Sequence, residues 1–381
     1  MPTSRRAPNP WPGRAACVAA LALLAARAPA ADDPALRSRL DAVLERMEHA
    51  VLAGDPDAYL SCVLLDPPEF AAEQRHWAAD LRRHVPAAFD LRASDEPLVL
   101  ADDGRVRVTL AMQWTMPGGA APPRRVEYPV EFARSDAGDG AMLYAGEVWE
   151  RAEGTGVLAL CAAGEGGVGA AVVDVLPAVR EHVHEGFELV LDRVQVVKVY
   201  ASMEHLQASI YLSYTEPLAG WNEPGESIKI LADSARGRHA ARVLLAHEYA
   251  HVATFSMGDA ATSMPWWAAE GVAELAAERF SRGRRAVDAA VRDLAASGAI
   301  VPWERLADFR AVRPEESMFA YTQGHHFVGY VSDRFGRSAR NAWIRELTRG
   351  RSLDDASRAA LGLGFDDLDA QWRASLAPAP P

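Results

Sequence analysis

Cysteine and lysine are scarce in this chain, and long apolar runs are absent. The 381 residues include three cysteines, which excludes a disulfide-rich scaffold and a four-cysteine metal site. The two lysines are Lys198 and Lys229, so arginine supplies nearly all of the positive charge. The longest apolar run, residues 15–26, has 12 residues, whereas a membrane-spanning helix needs about 20. The sequence therefore predicts no integral membrane segment in the mature chain.

Acidic residues outnumber basic ones. The chain has 52 Asp and Glu against 40 Lys and Arg, for a net charge of −12, and no basic run is present. This balance predicts no nucleic-acid partner, because such proteins bind by neutralising phosphates with clustered Lys and Arg. With 49% hydrophobic and 24% charged residues, the composition is typical of a globular protein with a substantial core, and the length predicts two or three domains.

The first thirty residues have the pattern of a signal peptide. A positively charged start that contains Arg5, Arg6 and Arg14 precedes the apolar run, and the small residues 28–30 follow it. Residues 1–30 are therefore predicted to be removed, which places the mature protein in the periplasm or outside the cell. Without its four leader arginines the chain carries 36 basic and 52 acidic residues, a net charge of −16. The alternative interpretation is an uncleaved tail.

Two cysteines remain after the predicted cleavage. Cys62 and Cys161 each lie in an apolar stretch of the sequence. In an oxidising compartment the two could form a disulfide, and burial as two free thiols is the other interpretation. The sequence leaves both interpretations open.

The first part of the mature chain, residues 31–150, has an α+β pattern. Apolar residues at three-and-four spacing predict a helix over 34–52, and a second helix is predicted over 68–84. Alternating patterns then predict antiparallel strands at 98–101, 106–114, 126–132 and 142–149. This order of elements resembles the cone-shaped domain of the nuclear-transport-factor-2-like superfamily. Members of that superfamily often hold a small ligand in the cone, whereas a packing or docking role is the alternative interpretation.

The second part, residues 157–376, begins with strands and ends in helices. Residues 151–156 are predicted to be a linker. After it, strands are predicted at 157–161 and 194–200, a helix interrupted near Pro177 lies between them, and a hairpin-like region includes 210–214 and 228–231. From about Arg238 onward the pattern is almost wholly helical.

One predicted helix carries a metal-binding pattern. His247, Glu248 and His251 lie in an apolar-periodic segment, and residues four apart share a face of an α-helix. Both imidazoles can therefore bind one Zn²⁺ ion, with Glu248 beside them. A catalytic zinc needs a third protein ligand and an open position for water.

The third ligand is predicted on the next helix. Glu270 lies 19 residues after His251, and Pro265 suits the first turn of a helix that would carry it. Glu274 lies one turn further along the same face. Because metal-bound imidazoles pass their second N–H to a carboxylate or a carbonyl, Glu274 is predicted to orient one of the two histidines.

These motifs resemble the gluzincin branch of zinc metallopeptidases, and most closely the bacterial peptidase-MA-like family. The resemblance is carried by 247–251 and by Pro265, Trp267, Glu270 and Glu274. Further similar segments are 321–336, 353–362 and 368–372. Ala268 departs from the bulky apolar residue that this family usually has after the Trp, and Trp266 is a candidate to compensate.

The resemblance implies a zincin-type domain with a small mixed sheet, an active-site helix and a C-terminal helical lobe. It also implies that Tyr321 donates a hydrogen bond to the oxyanion, and His325 and His326 are alternative donors. Hydrolysis by zinc-bound water requires a general base, and Glu248 is predicted to be that base, which would take a proton from the water. The strand at 228–231 has two interpretations, a sheet edge that pairs with an extended peptide and an ordinary core strand. His182 and His184 are predicted to be surface residues.

Three functions follow as hypotheses. The first is an exported peptidase with one Zn²⁺ ion and a peptide or protein substrate. The second is a catalytically inactive binding or assembly module on a peptidase fold. The third assigns the main activity to the first domain, as a small-molecule-binding cone. All the residue types that zinc-dependent hydrolysis requires are present, so the first hypothesis leads.

Overall fold

Two sheets, each with its own hydrophobic core, organise the chain. The computed structural model describes residues 33–118, 122–135, 140–281 and 283–377. The predicted signal peptide, residues 1–30, lies outside this part of the chain. Within it, no helix has both the length and the apolar character that a membrane span requires.

The first lobe confirms the predicted order of helices followed by strands. Its first helix begins after Asp33, whose side chain accepts hydrogen bonds from the first turn, and ends at Gly54 in the left-handed conformation with φ of 63°. The elements of this lobe are α1 (Pro34–Ala53), α2 (Pro56–Leu60), α3 (Pro68–Asp80), β1 (Ala88–Ala93), β2 (Val99–Leu100), β3 (Val106–Thr115), β4 (Arg124–Arg134) and β5 (Met142–Glu147).

The first sheet is antiparallel, with the order β1-β3-β4-β5, and β2 pairs with β3. Alternate residues of β3 are buried, from Val106 to Trp114, as its period-two pattern predicts. Their side chains meet the buried face of α1 in one core. A hairpin turn that includes residues 103–104 connects β2 to β3.

The second lobe contains a five-stranded mixed sheet and a group of helices. Its elements are β6 (Glu150–Gly154), β7 (Val157–Cys161), α4 (Gly166–Phe187), β8 (Gln195–Tyr200), α5 (Met203–Ile210), β9 (Gly220–Trp221), β10 (Ile228–Leu231), α6 (Arg238–Phe255), α7 (Trp266–Ala277), α8 (Arg284–Ala296), α9 (Ser317–Phe335), α10 (Arg337–Thr348), α11 (Leu353–Leu361) and α12 (Phe365–Leu376). The strand order is β6-β7-β8-β10-β9, with parallel pairing of β8 to both β7 and β10. The fold is therefore α+β, and its small mixed sheet and helical lobe confirm the predicted fold class.

Three local predictions were wrong. Residues 151–156 are not a linker, because β6 pairs with β7 across a turn in which Gly156 has φ of 69°. Residues 210–214 are not a strand, because Ile210 ends α5 and turns follow it. The helix around Pro177 is uninterrupted, because α4 continues through this exposed proline from Gly166 to Phe187.

Strand β10 lies inside the sheet. It pairs with β8 on one side and with β9 on the other, so the prediction that residues 228–231 form a peptide-binding edge was wrong. The interpretation as an ordinary core strand is confirmed by the burial of Ile228, Lys229 and Ile230. The edge position belongs to the two-residue strand β9.

The two described cysteines are free thiols. Cys62 and Cys161 are both buried, which decides between the two interpretations of the sequence. Burial, together with the charges of Glu150 and Glu165, raises the pKa of Cys161 to about 11. This thiol is therefore protonated at neutral pH and behaves as a small apolar core residue.

Candidate metal centre

Helix α6 carries two of the three predicted ligands. Its buried face packs into the core of the second lobe through residues such as Leu245, Tyr249 and Val252. The opposite side presents His247 and His251 toward α7, and their Nε2 atoms lie 3.2 Å apart. The four-residue spacing on one helix face accounts for this approach.

Helix α7 brings the third ligand to the same point. Glu270 Oε2 lies 3.2 Å from Nε2 of His247 and 3.6 Å from Nε2 of His251. A tetrahedral ion with bonds of about 2.1 Å separates its ligand atoms by about 3.4 Å. The structure therefore brings the three side chains together at distances close to those of such a site.

The donor set fits a divalent metal in two further respects. Glu270 Oε2 is buried and faces the Nε2 atoms of both histidines, so an ion between these three atoms would complete the contacts of the carboxylate. Burial raises the pKa of Glu270, but the charge of His251 and hydrogen bonds to both histidines lower it more, and the net shift of the pKa is downward. The carboxylate is thus held in the ionised form that binds metal.

Two hydrogen bonds from outside the ligand set orient the ligands. Glu274 Oε1 lies 3.1 Å from Nδ1 of His247, which is the role that its position in the sequence predicts. Trp266 Nε1 donates to the other oxygen of Glu270 at 2.8 Å. Burial lowers the pKa of His247, whereas its hydrogen bonds to Glu270 and Glu274 raise it, and the net shift is upward. These surroundings favour positive charge, either a proton or a metal ion.

Glu248 lies beside this centre and is buried. Its Oε2 accepts a hydrogen bond of 3.0 Å from the amide of Asn222, which also donates to the backbone oxygen of Glu248 at 3.2 Å. Burial, aided by the charge of Glu270, raises the pKa of Glu248 above its usual range. A carboxylate with a raised pKa is suited to accept a proton near neutral pH.

The edge strand β9 approaches Glu248 very closely. A Cβ atom added to Gly220 would lie 2.4 Å from Oε1 of Glu248, so a larger residue here would displace that carboxylate. Sequence analysis did not identify Asn222 or Gly220 as site residues. Gly220 belongs to the short strand β9 and Asn222 follows it, both well before the start of α6 in the chain, and no spacing rule connects this region to a helix face.

Tyr321 also reaches this centre. Its ring, on α9, stacks at 6.1 Å from that of His247 and meets the ring of Trp266 edge-on at 5.6 Å. Burial, followed by the charges of Glu270 and Glu248, raises the pKa of Tyr321, so the hydroxyl keeps its proton and can donate it in a hydrogen bond.

The other histidines considered from the sequence have separate partners. His325 Nε2 lies 2.6 Å from Oε2 of Glu278, and His326 accepts a hydrogen bond of 2.9 Å from the indole of Trp372. The prediction that His182 and His184 lie at the surface was wrong. Both are half-buried, His182 beside the Ala276 carbonyl at 3.1 Å and His184 beside the Tyr249 hydroxyl at 2.8 Å.

Aromatic side chains border the centre on the side of the sheet edge. Phe309 lies 5.2 Å from the ring of Trp266 and 6.1 Å from that of Trp221 on β9, and it stacks on Tyr214 at 6.3 Å. These rings are partly exposed, so they form a partly accessible apolar wall between the helices and the edge strand.

The chain was compared with solved structures and with curated proteins. The chain is similar in structure to an M1 zinc metallopeptidase from Deinococcus radiodurans, with 16% identity, a TM-score of 0.39, and coverage of 78% of this chain and 64% of that one. A two-domain M1 zinc metallopeptidase variant bound to L-arginine has 17% identity, a TM-score of 0.37, and coverage of 78% and 63%. The chain spans less than two thirds of the length of these structures. No curated protein matches the sequence.

A family model extends over the second lobe. The model described as the peptidase MA superfamily matches residues 180–378, which is more than half of the chain. The matched range contains both helices of the metal centre and α9 with Tyr321. This chain belongs to the peptidase MA superfamily.

Proposed function

We propose that this protein is a zinc-dependent peptidase that hydrolyses peptide bonds with Glu248 as general base. The observation that carries the proposal is the meeting of three ligand atoms within 3.6 Å of one another, next to a buried carboxylate. His247, His251 and Glu270 would hold one Zn²⁺ ion. When bound, zinc lowers the pKa of a coordinated water and polarises the scissile carbonyl.

The side chains around the ion would then transfer the proton and stabilise the negative charge that develops during hydrolysis. Glu248 accepts a proton from the attacking water and passes it to the leaving amine, and its raised pKa suits both steps. Asn222 holds Oε2 of this carboxylate, which leaves Oε1 on the side of Gly220. Tyr321 donates a hydrogen bond to the carbonyl oxygen as negative charge develops there.

The surroundings of the centre support a peptide or protein as substrate. The wall that Phe309, Trp266 and Trp221 form offers contact area for an apolar substrate side chain beside the scissile bond. The signal-peptide pattern of residues 1–30 supports export, and we therefore propose that the substrate lies in the periplasm or outside the cell.

Metal analysis and digestion of a peptide library test the proposal together. We expect about one zinc per wild-type chain and cleavage of library peptides. His247→Ala and Glu270→Ala should lose stoichiometric zinc, because each removes a ligand. Glu248→Gln should keep the metal and lose turnover by roughly 10²–10⁴-fold, since it cannot accept a proton.

Glu315→Gln is the matched control for these variants, because Glu315 is exposed and its ion pair is with Arg313, not with a residue of the centre. Full zinc occupancy in His247→Ala would refute the ligand assignment. Retained zinc with no cleavage by wild type or by Glu248→Gln would instead support the inactive binding or assembly module.

A further inference from the structure

The turn between β9 and β10, residues 222–227, connects the metal centre to the first lobe. At its start, Asn222 donates hydrogen bonds to Oε2 and to the backbone oxygen of Glu248, at 3.0 and 3.2 Å. Gly220 packs against the other carboxylate oxygen, Oε1. The orientation of the Glu248 carboxylate therefore depends on where this short stretch of chain lies.

Strand β9, which leads into the turn, is only weakly held by its own sheet. It has two residues, which pair with Lys229 and Ile230 of β10, whereas a typical strand has about 5–6. Its outer edge pairs with no other strand in the described part of the chain. Because few backbone hydrogen bonds fix this strand, we expect contacts from outside the sheet to keep Asn222 in position.

Helix α3 of the first lobe supplies such contacts. His76 Nδ1 lies 3.0 Å from Oε2 of Glu223 and 2.7 Å from Oε1 of Glu226. Glu73 precedes His76 by three residues and therefore lies on the same helix face. Its carboxylate accepts hydrogen bonds from the hydroxyl of Ser227 and, at 3.4 Å, from the backbone N–H of that residue. One face of α3 thus holds three residues of the turn.

Burial restricts the turn to this arrangement. Asn222, Glu226 and Ser227 are at most 9% exposed. A buried polar group that loses its partner costs roughly 1–3 kcal/mol, so alternative positions of the turn are unfavourable. Glu223 follows Asn222 directly in the chain, and its Oε1 accepts a hydrogen bond from the hydroxyl of Tyr211. A displacement of Glu223 would therefore move Asn222 as well.

We propose that the first lobe takes part in catalysis by positioning the general base, with His76 as a positioning residue that acts through Glu223 and Asn222. This inference rests on the proposed function, because Glu248 acts as a base only if the protein is a peptidase. Asn222 holds one oxygen of the carboxylate and leaves the other for the attacking water. A misplacement of about 1 Å in an active site can lower a rate by about 10²-fold. A first lobe that only packs against the second would not affect this step.

Steady-state kinetics of the zinc-loaded protein tests this role. His76→Ala should lower kcat by roughly 10–100-fold, with KM and zinc content little changed, because the ligands and the aromatic wall stay intact. His84→Ala is the matched control and should keep the wild-type kcat. The Nδ1 atom of His84 also lies beside a carboxylate, Oδ1 of Asp80 at 2.8 Å, but both residues belong to the first lobe. An equal fall of kcat in both variants, or no fall in His76→Ala, would overturn the proposal.

A double-mutant cycle with Asn222→Ala separates positioning from a general structural effect. If His76 acts through Asn222, adding His76→Ala to Asn222→Ala should lower kcat by less than about twofold further, because the two residues share one pathway. Effects that multiply would mean that the two residues act independently, and the proposed pathway would be wrong.

A readout that needs no turnover is the NMR signal of the Asn222 side-chain amide, identified by its absence in Asn222→Ala. This amide is hydrogen-bonded to Glu248 in the wild type, so its hydrogens should exchange slowly with solvent. His76→Ala and the milder Tyr211→Phe should shift this signal and speed its exchange, whereas His84→Ala should not. If the wild type cleaves no peptide, the proposed function fails, and this signal still decides whether the first lobe positions Asn222. An unchanged signal in folded His76→Ala and Tyr211→Phe would show that it does not.

Discussion

The indole of Trp266 holds one oxygen of Glu270, and this leaves the other oxygen directed at the two histidines. Trp266→Phe keeps an aromatic ring but removes the N–H donor. Loss of such an orienting hydrogen bond typically weakens metal affinity by about 10–100-fold. We expect this loss in competition titrations with a zinc chelator, with little change in the folding of the protein.

Trp303→Phe provides the control for that substitution. Trp303 is buried and, like Trp266, donates its indole N–H to a carboxylate, that of Asp369, at 2.8 Å, but none of the contacts of Trp303 in the described chain is with a proposed ligand. Equal zinc affinity in Trp266→Phe and wild type would show that the helix alone fixes Glu270.

The contact between the rings of Tyr321 and His247 supports Tyr321 as the residue that donates a hydrogen bond to the oxyanion. Tyr321→Phe should lower kcat by roughly 10²–10³-fold, as removal of one oxyanion donor does, while zinc content stays unchanged. Tyr330→Phe, on the same helix and packed against the core of the second lobe, should leave kcat unaltered. An unchanged kcat in Tyr321→Phe would return the role to His325 or His326.

Among single residues, the sequence predicts the proposed metal ligands but only some of the side chains that orient the site. His247 and His251 are predictable because the helix fixes their four-residue spacing, and Glu274 follows Glu270 by the same rule. Asn222 is not predictable in this way, since it reaches Glu248 from a loop whose path depends on the whole second sheet.

Among the elements, α7 and α9 cross at two glycines. A Cβ atom on Gly324 would lie 2.2 Å from the Trp267 carbonyl oxygen, and one on Gly271 would lie 2.4 Å from the Gly324 carbonyl oxygen. Gly324→Ala forces the helices apart and should lower the free energy of unfolding by roughly 1–3 kcal/mol. Because Glu270 and Tyr321 lie on these two helices, zinc affinity should fall as well.

Gly186→Ala is the matched control within a helix. Gly186 lies in α4, and a Cβ atom there would meet no other atom within 4 Å. This substitution should stabilise the protein by up to about 1 kcal/mol, since alanine is the better helix former. Urea denaturation of both variants measures the difference, and equal stability of Gly324→Ala and wild type would contradict the close crossing.

Elements that depend on local pattern were predictable, and those that depend on distant partners were not. The alternation in β3 and the three-and-four spacing in α1 determine which face is buried, and both predictions are confirmed. The apolar, aromatic residues 210–214 favour a strand by composition alone. In the folded protein this region is bound to the first lobe by hydrogen bonds. The Trp114 indole donates one to the Leu212 carbonyl, and Arg124 donates another to the Tyr214 carbonyl.

At the scale of the whole molecule, both lysines of the chain lie buried where the lobes meet. Lys198 on β8 pairs with Glu73 of α3, and Lys229 on β10 pairs with Glu226 at 3.1 Å. Charges in such surroundings are strongly destabilising unless they are paired, so each pair depends on the correct approach of its partner. We infer that the Lys198–Glu73 pair, whose partners belong to different lobes, fixes how the first lobe sits on the sheet that carries β9.

His76 extends the second of these pairs across the lobe junction, and its side chain is about a third exposed. Its Nδ1 lies 2.7 Å from Glu226 and 3.0 Å from Glu223, which follows Asn222 in the chain. The hydrogen bond to Glu226 raises the pKa of His76; burial opposes this shift, the charges of both glutamates add to it, and Lys229 reduces it. A histidine whose pKa is higher in the folded protein stabilises the fold fully below its unfolded pKa of about 6.5, and this contribution disappears as the pH rises through the folded value.

The melting temperature of zinc-saturated wild type should therefore exceed that of His76→Gln at pH 5.5, and the difference should shrink towards pH 8.5. His49→Gln, at an exposed position on α1, should show no such trend. A difference that stays constant or grows with pH would mean that His76 is neutral in the folded protein, and that the junction is held by the lysine pairs without it.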